Sequence, residues 1–422
     1  MGLATNPGSS QEPLATIRAK WLMRLGLGGF TSALSVLPSP PMIRRAATRS
    51  APVIAALLLA ACATQAPPPS PQQQAPPPPP QAAPVALLPT VPQPPERPVA
   101  PVSVTDPSIP QAQREAAFVD YAAATYGVSP DTIRSTLAQA VYQQKIIDAM
   151  TRPAEAVRPW RDYRPIFLND ARIGGGRQFY LENRAALDRV AAETGVPAEY
   201  IVAIIGVETS YGRITGNYRV LDALYTLAFS FPKRAPFFAG ELAQLFGLAK
   251  AEPQLDPLTL KGSYAGAMGM GQFMPSSYRL WAKDGDGDGR RDLLTHKPDV
   301  FASIANYFVL HGWQRGKPVV ARAQRAPGAA DFVPGFGEPG GDPKSLEPKY
   351  PLPLLAQRGY APMPGEPVSD GAVVISLDGA AGREYWLGYR NFYVISRYNR
   401  SPMYSLAVHQ LAQAIRAGVP AQ

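Results

Sequence analysis

Apolar residues recur at helical spacing through the first two thirds of the segment between Gln111 and Ile415. A repeat of three to four residues gathers such side chains on one face of a helix, where they can be buried. Pro197 and Pro236 suit first turns, which need no backbone N–H donor at the start. The pattern predicts helices at 113–126, 130–138, 175–194, 197–209, 221–228, 236–251 and 300–311.

The pattern changes between Lys317 and Arg390, where short apolar runs at 373–377 and 384–387 are separated by Gly/Pro-rich loops. Such runs are typical of short strands. Helical spacing returns at 401–417. We therefore predict an α+β fold that is mainly α, with a helical core at 111–314. A smaller β-containing subdomain would occupy 315–417, and its last helix would complete the core.

A short apolar run, Val53–Ala61, follows three arginines and ends at Cys62. Nine residues are too few to span a bilayer, but a basic segment before a short apolar one is typical of an export signal. The ending Leu-Ala-Ala-Cys resembles a bacterial lipobox. We expect 42–62 to be a lipoprotein signal peptide with Cys62 as the lipidation site. Residues 1–41 would then be a misannotated or cleaved leader. The alternative for the apolar run Val53–Ala61 is a short buried helix, in which Cys62 would be incidental.

The segment 63–110 contains 18 prolines in 48 residues, mixed with Gln and Ala. Such a composition favours polyproline II over a packed core. At about 3.1 Å per residue the segment would reach roughly 150 Å when fully extended. It is predicted to be a disordered tether between a lipid anchor and the folded body.

The formal net charge of +9 suggests an anionic partner such as nucleic acid or a membrane. Residues 1–62 carry six basic residues and one acidic residue, so the remainder holds 35 basic and 31 acidic residues, a charge of +4. We therefore expect no nucleic-acid partner. The single cysteine excludes an internal disulfide, and the three scattered histidines lack the spacing of a zinc cluster.

Glu208 continues the apolar stripe of a predicted helix, at i+7 from Ile201 and i+4 from Ile204. A carboxyl group on that face loses solvation and meets the negative end of the helix dipole, and both effects raise its pKa. A carboxylic acid that stays protonated near neutral pH can act as general acid on a glycosidic oxygen. A glutamate that turns out to solvent in the last turn is the alternative.

The segment 261–278 carries glycines at 262, 266, 269 and 271, which allow a loop backbone to approach a ligand closely. No predicted strand precedes these glycines and no lysine follows them, so a phosphate-binding loop is a poor fit. Its tyrosines, glutamine and phenylalanine offer stacking faces and hydrogen bonds that suit a sugar. A mobile surface loop is the alternative.

The segment 284–295 has the spacing of an EF-hand calcium loop. Its candidate ligands are Asp284, Asp286, Asp288, Asp292 and the backbone carbonyl of Arg290. Thr295 stands at the twelfth position in place of the bidentate acid, which lowers the charge and the number of ligand atoms. The loop favours a structural calcium ion, and a plain Asp/Gly turn is the alternative.

Three motifs resemble the membrane-bound lytic murein transglycosylase B family: Val-Glu-Thr-Ser-Tyr-Gly at 207–212, the Gly-Ser-Tyr-Ala-Gly-Ala-Met-Gly-Met-Gly-Gln-Phe-Met-Pro-Ser-Ser run at 262–277, and Asn-Phe-Tyr-Val-Ile-Ser-Arg-Tyr-Asn-Arg-Ser-Pro-Met-Tyr at 391–404. The resemblance covers 111–417. It implies a lysozyme-like helical catalytic core, peptidoglycan as substrate and Glu208 as the catalytic residue. It also implies a calcium loop, and cleavage between N-acetylmuramic acid and N-acetylglucosamine that leaves a 1,6-anhydromuramoyl end. No cofactor is required for this chemistry.

The family pattern further implies a set of residues that contact the substrate. Lys233 and Arg234 would pair with carboxylates of the peptide stem. The sugar contacts would be Tyr163, Ser263, Gln272, Tyr307, Tyr398, Asn399 and Tyr404. For each tyrosine, ordinary core packing is the alternative.

Two other functions fit the same motifs: a hydrolytic muramidase, and a non-catalytic wall-binding lipoprotein in which Glu208 is structural. For a Gram-negative source, the expected location is the periplasm, with the lipid on Cys62 in the outer membrane because no aspartate follows the cysteine. Cell-wall synthesis proteins are candidate partners.

Overall fold

The computed structural model describes residues 86–89, 99–151, 158–336 and 341–420. Cys62, the predicted signal peptide and most of the predicted tether lie outside these residues. The helices are α1 (Val102–Thr105), α2 (Gln111–Tyr126), α3 (Pro130–Leu137), α4 (Gln144–Thr151), α5 (Trp160–Phe167), α6 (Asp170–Glu182), α7 (Arg184–Thr194), α8 (Ala198–Thr209), α9 (Val220–Ser230), α10 (Ala235–Ala251), α11 (Pro275–Trp281), α12 (Lys297–Leu310), α13 (Leu352–Gln357), α14 (Arg390–Tyr398) and α15 (Pro402–Arg416).

The strands form two antiparallel sheets. Their bounds are β1 (Tyr218–Arg219), β2 (Lys261–Gly262), β3 (Val320–Arg325), β4 (Tyr350–Pro351), β5 (Tyr360–Pro362), β6 (Gly371–Gly379) and β7 (Gly382–Gly388). β1 pairs with β2, and the others form a five-stranded sheet in the order β4-β6-β7-β3-β5. The prediction of a mainly helical α+β fold is confirmed.

Two sequence predictions differ from the structure. The single helix expected at 175–194 is two helices, α6 and α7, because the backbone of Asn183 leaves helical geometry at φ −120° and ψ 16°. The tether expected through residue 110 ends earlier, since α1 buries Val104 completely and packs against α10. The apolar residues near the end of this segment therefore allow it to pack against α10 despite its proline content.

The site is positioned by α8, which is buried along almost its whole length. α15 packs along α8 and also contacts α5 and α6, so the C-terminal end of the chain returns to the helical core. Ser401 caps α15 by accepting a hydrogen bond from the Tyr404 N–H, and Pro402 occupies its first turn. Within the described ranges no single helix is long and apolar enough to cross a membrane, and α7 with α8 meets that test only as a pair bent by 116°.

Candidate active site

Glu208 lies in the last turn of α8, in a region bordered by α15 and the glycine-rich loop 261–278, which we call the cleft. Ile204 and Ile205 before it are fully buried, whereas Glu208 itself is half-buried. The hydroxyl of Tyr404, on α15, donates a hydrogen bond of 2.7 Å to Glu208 Oε1. Two residues that the sequence places far apart, Glu208 and Tyr404, are therefore direct partners.

The chain turns sharply after Glu208. Ser210 and Tyr211 adopt left-handed backbone angles, with φ of 54° and 64°. The Ser210 N–H donates to the Gly206 carbonyl, the 5→1 bond of an αL helix ending, and the Tyr211 N–H donates to the Ile205 carbonyl; no glycine occupies the left-handed positions. Non-glycine residues in this region are uncommon, and they concentrate at functional sites.

The glycine-rich loop is tied to the end of α8. The hydroxyl of Thr209 hydrogen-bonds the Met270 carbonyl at 2.9 Å, and it accepts the Gly212 N–H at 3.0 Å. Gly269 has φ +70°, and a side chain there would collide with the Leu293 carbonyl. The loop is therefore a packed wall of the cleft rather than the mobile loop that composition alone would suggest.

Two predicted sugar contacts, Gln272 and Asn399, are buried side chains with an acceptor oxygen to spare. The Gln272 amide nitrogen donates to the Thr215 and Gly269 carbonyls at 2.8 Å each, and its backbone has φ 53°. Within the described part of the chain, Gln272 Oε1 and Asn399 Oδ1 have no hydrogen-bond partner. Buried acceptors of this kind are suited to N–H or O–H donors of a ligand.

Three other predicted contacts, two tyrosines and a serine, form a hydrogen-bonded support for the cleft. The rings of Tyr307 and Tyr398 lie 4.7 Å apart, and their hydroxyls donate to the carbonyls of Arg397 and Gly271 at 2.6 and 3.1 Å. Ser263 Oγ accepts the Ala267 N–H at 3.0 Å. These bonds hold the loop and α14 together, so the three side chains shape the cleft at least as much as they line it.

Tyr163, on α5, approaches Glu208 from another side. It is 3 % exposed and packs between Trp160 and Phe167, with ring centroids 6.1 and 5.2 Å away. Burial, and then the negative charge of Glu208, raise the pKa of Tyr163 well above its ordinary value. Tyr163 is therefore held as the neutral hydroxyl near neutral pH.

The two predicted stem-binding cations differ in their surroundings. Both lie in the 3-10 turn Pro232–Arg234, and Lys233 is exposed. The Arg234 guanidinium lies over the rings of Phe237 and Phe238, 4.4 and 5.0 Å from their centroids, and burial lowers its pKa to about 10. Arg234 therefore packs on the first turn of α10, which follows it.

The aspartates of the predicted calcium loop divide into two groups. Ligand oxygens of Asp284, Asp286 and Asp288 lie within 4.8 Å of one another. The Asp292 carboxylate instead accepts the N–H groups of Leu294 and Thr295 and, at 2.5 Å, the Thr295 hydroxyl. Thr295, at position twelve of the loop, therefore hydrogen-bonds Asp292 at position nine. The spacing of the loop did not predict this contact.

Sequence reasoning missed two neighbours of this loop. His296 Nε2 lies 2.9 Å from Asp286 Oδ2, and the 1 % exposed Asp299 accepts the N–H groups of Gly285 and Asp292. Both residues belong to the start of α12 rather than to the twelve-residue motif. Three hard carboxylates fit an oxygen-preferring cation such as calcium, with fewer charges than a complete EF-hand supplies.

Residues 111–413 match a protein-family model described as "Transglycosylase SLT domain". The chain is 39 % identical over 315 residues to membrane-bound lytic murein transglycosylase B of Escherichia coli (strain K12), an alignment that covers 72 % of this chain and 82 % of the relative.

Solved structures are similar as well. Soluble lytic transglycosylase SltB1 from Pseudomonas aeruginosa has 45 % identity and a TM-score of 0.66, with 72 % of this chain and 99 % of that chain covered. Slt35 of Escherichia coli in complex with calcium has 39 % identity and a TM-score of 0.63, covering 72 % and 92 %. SltB3 from Pseudomonas aeruginosa in complex with NAG-anhNAM-pentapeptide has 28 % identity and a TM-score of 0.61, covering 73 % and 80 %.

Proposed function

The chain belongs to the lytic transglycosylase family of membrane-bound lytic murein transglycosylase B, and from this premise we propose how its site acts on peptidoglycan. It is a peptidoglycan lytic transglycosylase. We propose that Glu208 is its single acid and base. The hydrogen bond between Tyr404 and Glu208 carries this proposal, since it holds the Glu208 carboxyl in place at the end of α8.

The proposed reaction uses one carboxyl group twice. Protonated Glu208 gives its proton to the glycosidic oxygen as the bond from that oxygen to C1 of N-acetylmuramic acid breaks. The N-acetyl carbonyl of the same sugar supports the positive charge at C1. The Glu208 carboxylate then removes the proton of the 6-hydroxyl, whose oxygen bonds to C1 and closes the 1,6-anhydro ring. Atoms balance without water, and Glu208 ends protonated.

The engagement of other carboxylates supports a single-acid route, since ordinary glycosidases use two. Asp222 accepts the Val141 N–H and the Arg219 guanidinium, at 2.8 and 2.6 Å. The buried Glu241 accepts both the N–H and the hydroxyl of Ser276. Each of these two acids holds a structural junction, so neither is a good candidate for a second catalytic carboxyl.

Gln272 and Asn399 are proposed to bind the sugars, since their buried oxygens can accept acetamido N–H or hydroxyl groups. SltB3 in complex with a sugar–pentapeptide supports peptidoglycan fragments as ligands of this site. Tyr163, Ser263, Tyr307 and Tyr398 are proposed to frame it. Lys233, being exposed, is the better candidate for the stem carboxylates, and Arg234 would act mainly through packing.

Calcium binding by the loop 284–295 is a separate proposal. The complex of Slt35 with calcium and the gathering of Asp284, Asp286 and Asp288 support it. The ion would join the loop to the start of α12, next to the carbonyl of Leu293 that packs on Gly269. Its role would be structural, because the chemistry of the reaction needs no metal.

Attachment to the outer membrane through a lipid on Cys62 is also proposed. The sequence Leu-Ala-Ala-Cys supports it, as does the relative whose name describes it as membrane-bound. Cell-wall synthesis proteins would be its partners at the membrane.

The mass of the products tests the reaction class. Sacculi digested in water enriched in heavy oxygen should yield muropeptides without the label, each lighter than its hydrolysis product by one water. A muramidase would release labelled reducing ends, and a non-catalytic wall-binding lipoprotein would release no soluble fragments. Either result would overturn the proposed mechanism.

A further inference from the structure

Arg172 is a buried cation directly beneath the turn that follows Glu208. It lies in the first turn of α6, where Asn169 caps the helix by accepting the Arg172 N–H at 2.9 Å. The side chain is 7 % exposed, and burial lowers its pKa below the ordinary arginine value. Burying a guanidinium is costly unless its N–H groups are hydrogen-bonded, so its partners are informative.

Those partners flank Glu208 on both sides. One guanidinium nitrogen, Nη1, donates to the Gly206 carbonyl, two residues before Glu208, and at 2.7 Å to Ser210 Oγ, two residues after it. In return, the Tyr211 hydroxyl donates to the Arg172 carbonyl at 2.7 Å. A cation at the C-terminal end of a helix also meets the favourable end of the helix dipole.

The same contacts hold a strained piece of backbone. Non-glycine residues with positive φ, such as Ser210 and Tyr211, cost on the order of 1–3 kcal/mol each and need surrounding contacts to persist. The ring of Tyr211 crosses so close to Gly206 that a Cβ there would lie 2.7 Å from it. The Arg172 guanidinium donates to Gly206 and Ser210, and the Arg172 backbone carbonyl accepts the Tyr211 hydroxyl. Arg172 therefore bonds to the turn at three points.

A second route runs from Arg172 to Glu208 through aromatic rings. The guanidinium carbon lies 5.9 Å from the centroid of Phe167, which packs against Tyr163 at 5.2 Å. The negative charge of Glu208 in turn contributes to the raised pKa of Tyr163, so the two side chains are neighbours. The backbone on both sides of Glu208 and one of its aromatic neighbours therefore depend on the same guanidinium.

We infer that Arg172 is a positioning residue that fixes Glu208 in the geometry for proton transfer, an inference that rests on the proposed role of Glu208. A misplacement of about 1 Å can reduce turnover roughly 100-fold without loss of substrate binding. Arg172 acts through Gly206, Ser210 and Phe167 and does not touch the substrate.

The test compares Arg172→Met, which keeps the aliphatic stem, with Arg172→Lys, which keeps the charge and one donor group. Arg114→Met is the matched control, because Arg114 is equally buried on α2 and donates to the Ile109 and Phe229 carbonyls, within a different part of the helical core. Turnover and KM are measured on soluble glycan strands, and folding is measured by near-ultraviolet circular dichroism and thermal melting.

We expect kcat of Arg172→Met to fall about 30- to 100-fold with KM changed less than about threefold. Arg172→Lys should recover part of the loss, and Arg114→Met should lower Tm without changing kcat. Folded Arg172→Met with the kcat of Arg114→Met, or Arg172→Lys no better than Arg172→Met, would overturn the inference. If Arg172→Met does not fold, Ser210→Ala replaces it, and a wild-type kcat there would overturn the inference too.

Glu208→Gln is measured in parallel, so that the proposed function and the role of Arg172 can be refuted independently. An active Glu208→Gln enzyme would remove the proposed function itself. An inactive Glu208→Gln together with a fully active Arg172→Met would leave the proposed function standing and remove only the role of Arg172.

Discussion

At the scale of single residues, the Tyr404 hydroxyl is the contact that holds Glu208 most directly. Tyr404→Phe removes one hydrogen bond to a group that must be charged in half of the reaction cycle, and such bonds contribute about 1.5–3 kcal/mol. We expect kcat to fall about 10- to 100-fold, with the fold retained. Steady-state kinetics on soluble glycan strands measures this change.

Tyr121→Phe is the matched control, because the Tyr121 hydroxyl is buried on α2 and has no hydrogen-bond partner among the described residues. This variant should keep the wild-type kcat. If Tyr404→Phe also keeps it, the hydrogen bond to Glu208 does not contribute to catalysis.

The family resemblance predicted Glu208 and Tyr404 in one site, and their side chains are hydrogen-bonded in the structure, but neither the motifs nor the resemblance pointed to Arg172. An arginine in the polar first turn of a helix has the pattern of a surface residue, and its role depends on a turn nearly 40 positions away. His296 and Asp299 were missed for a similar reason, since both fall outside the twelve-residue loop that the spacing defines.

At the scale of elements, α8 and α15 are joined a second time, away from the cleft. Tyr200 Oη on α8 is 2.8 Å from His409 Nδ1 on α15, and Gln413 hydrogen-bonds the same hydroxyl. Burial lowers the pKa of His409 from 6.5 to about 4. The packing of α8 against α15 therefore favours the neutral imidazole of His409 over the protonated one.

This junction predicts how stability depends on pH. Between pH 6.5 and about 4 the unfolded chain protonates His409 while the folded chain does not, so the unfolded state binds more protons. The contribution of His409 is complete above pH 6.5 and is lost as the pH falls towards 4. With solvent screening of a partly exposed ring, the loss is about 2 kcal/mol.

Urea unfolding of the wild type and of His409→Phe from pH 8 to pH 4 measures this contribution. The wild type should lose more stability than the variant across the acidic half of the range. Parallel curves would show that His409 is not responsible.

The calcium loop gives a third element-scale prediction. Calcium should raise Tm of the wild type, and Asp284→Asn/Asp288→Asn should abolish the rise because it removes two carboxylates from the gathered set. Asp120→Asn/Asp370→Asn removes the same charge from exposed positions elsewhere, and it should keep the rise. An equal rise in all three proteins would mean that calcium acts outside the loop.

Elements with long apolar stretches, such as α8 and α10, were predictable within a few residues. Shorter ones were not. α5 contains Pro165, which argues against a helix in sequence, yet its neighbours Tyr163 and Phe167 bury enough apolar surface to form one. In β3, Val-Ala-Arg-Ala-Gln-Arg is too polar to indicate a strand by itself, and pairing with β5 and β7 supplies the missing stabilisation.

At the scale of the whole molecule, the proposed arrangement is a folded enzyme that a proline-rich segment connects to a lipid anchor on Cys62. Replacing the nucleophilic thiol in Cys62→Ser should move the enzyme from the membrane fraction to the soluble periplasmic fraction. Thr64→Ser, two positions further on, is the matched control and should stay with the membranes. Immunoblots of separated inner membrane, outer membrane and periplasm decide, and a Cys62→Ser protein still in the outer membrane would exclude the lipid anchor.

Glu208 is proposed to perform both proton transfers, and the release of anhydromuropeptides from sacculi by Glu208→Gln tests this proposal. The amide cannot donate the proton, so we expect release to fall at least about 1,000-fold, with an unchanged melting temperature. Glu193→Gln, an exposed position at the end of α7, should release them at the wild-type rate. Release by folded Glu208→Gln within a few-fold of the wild type would contradict the account.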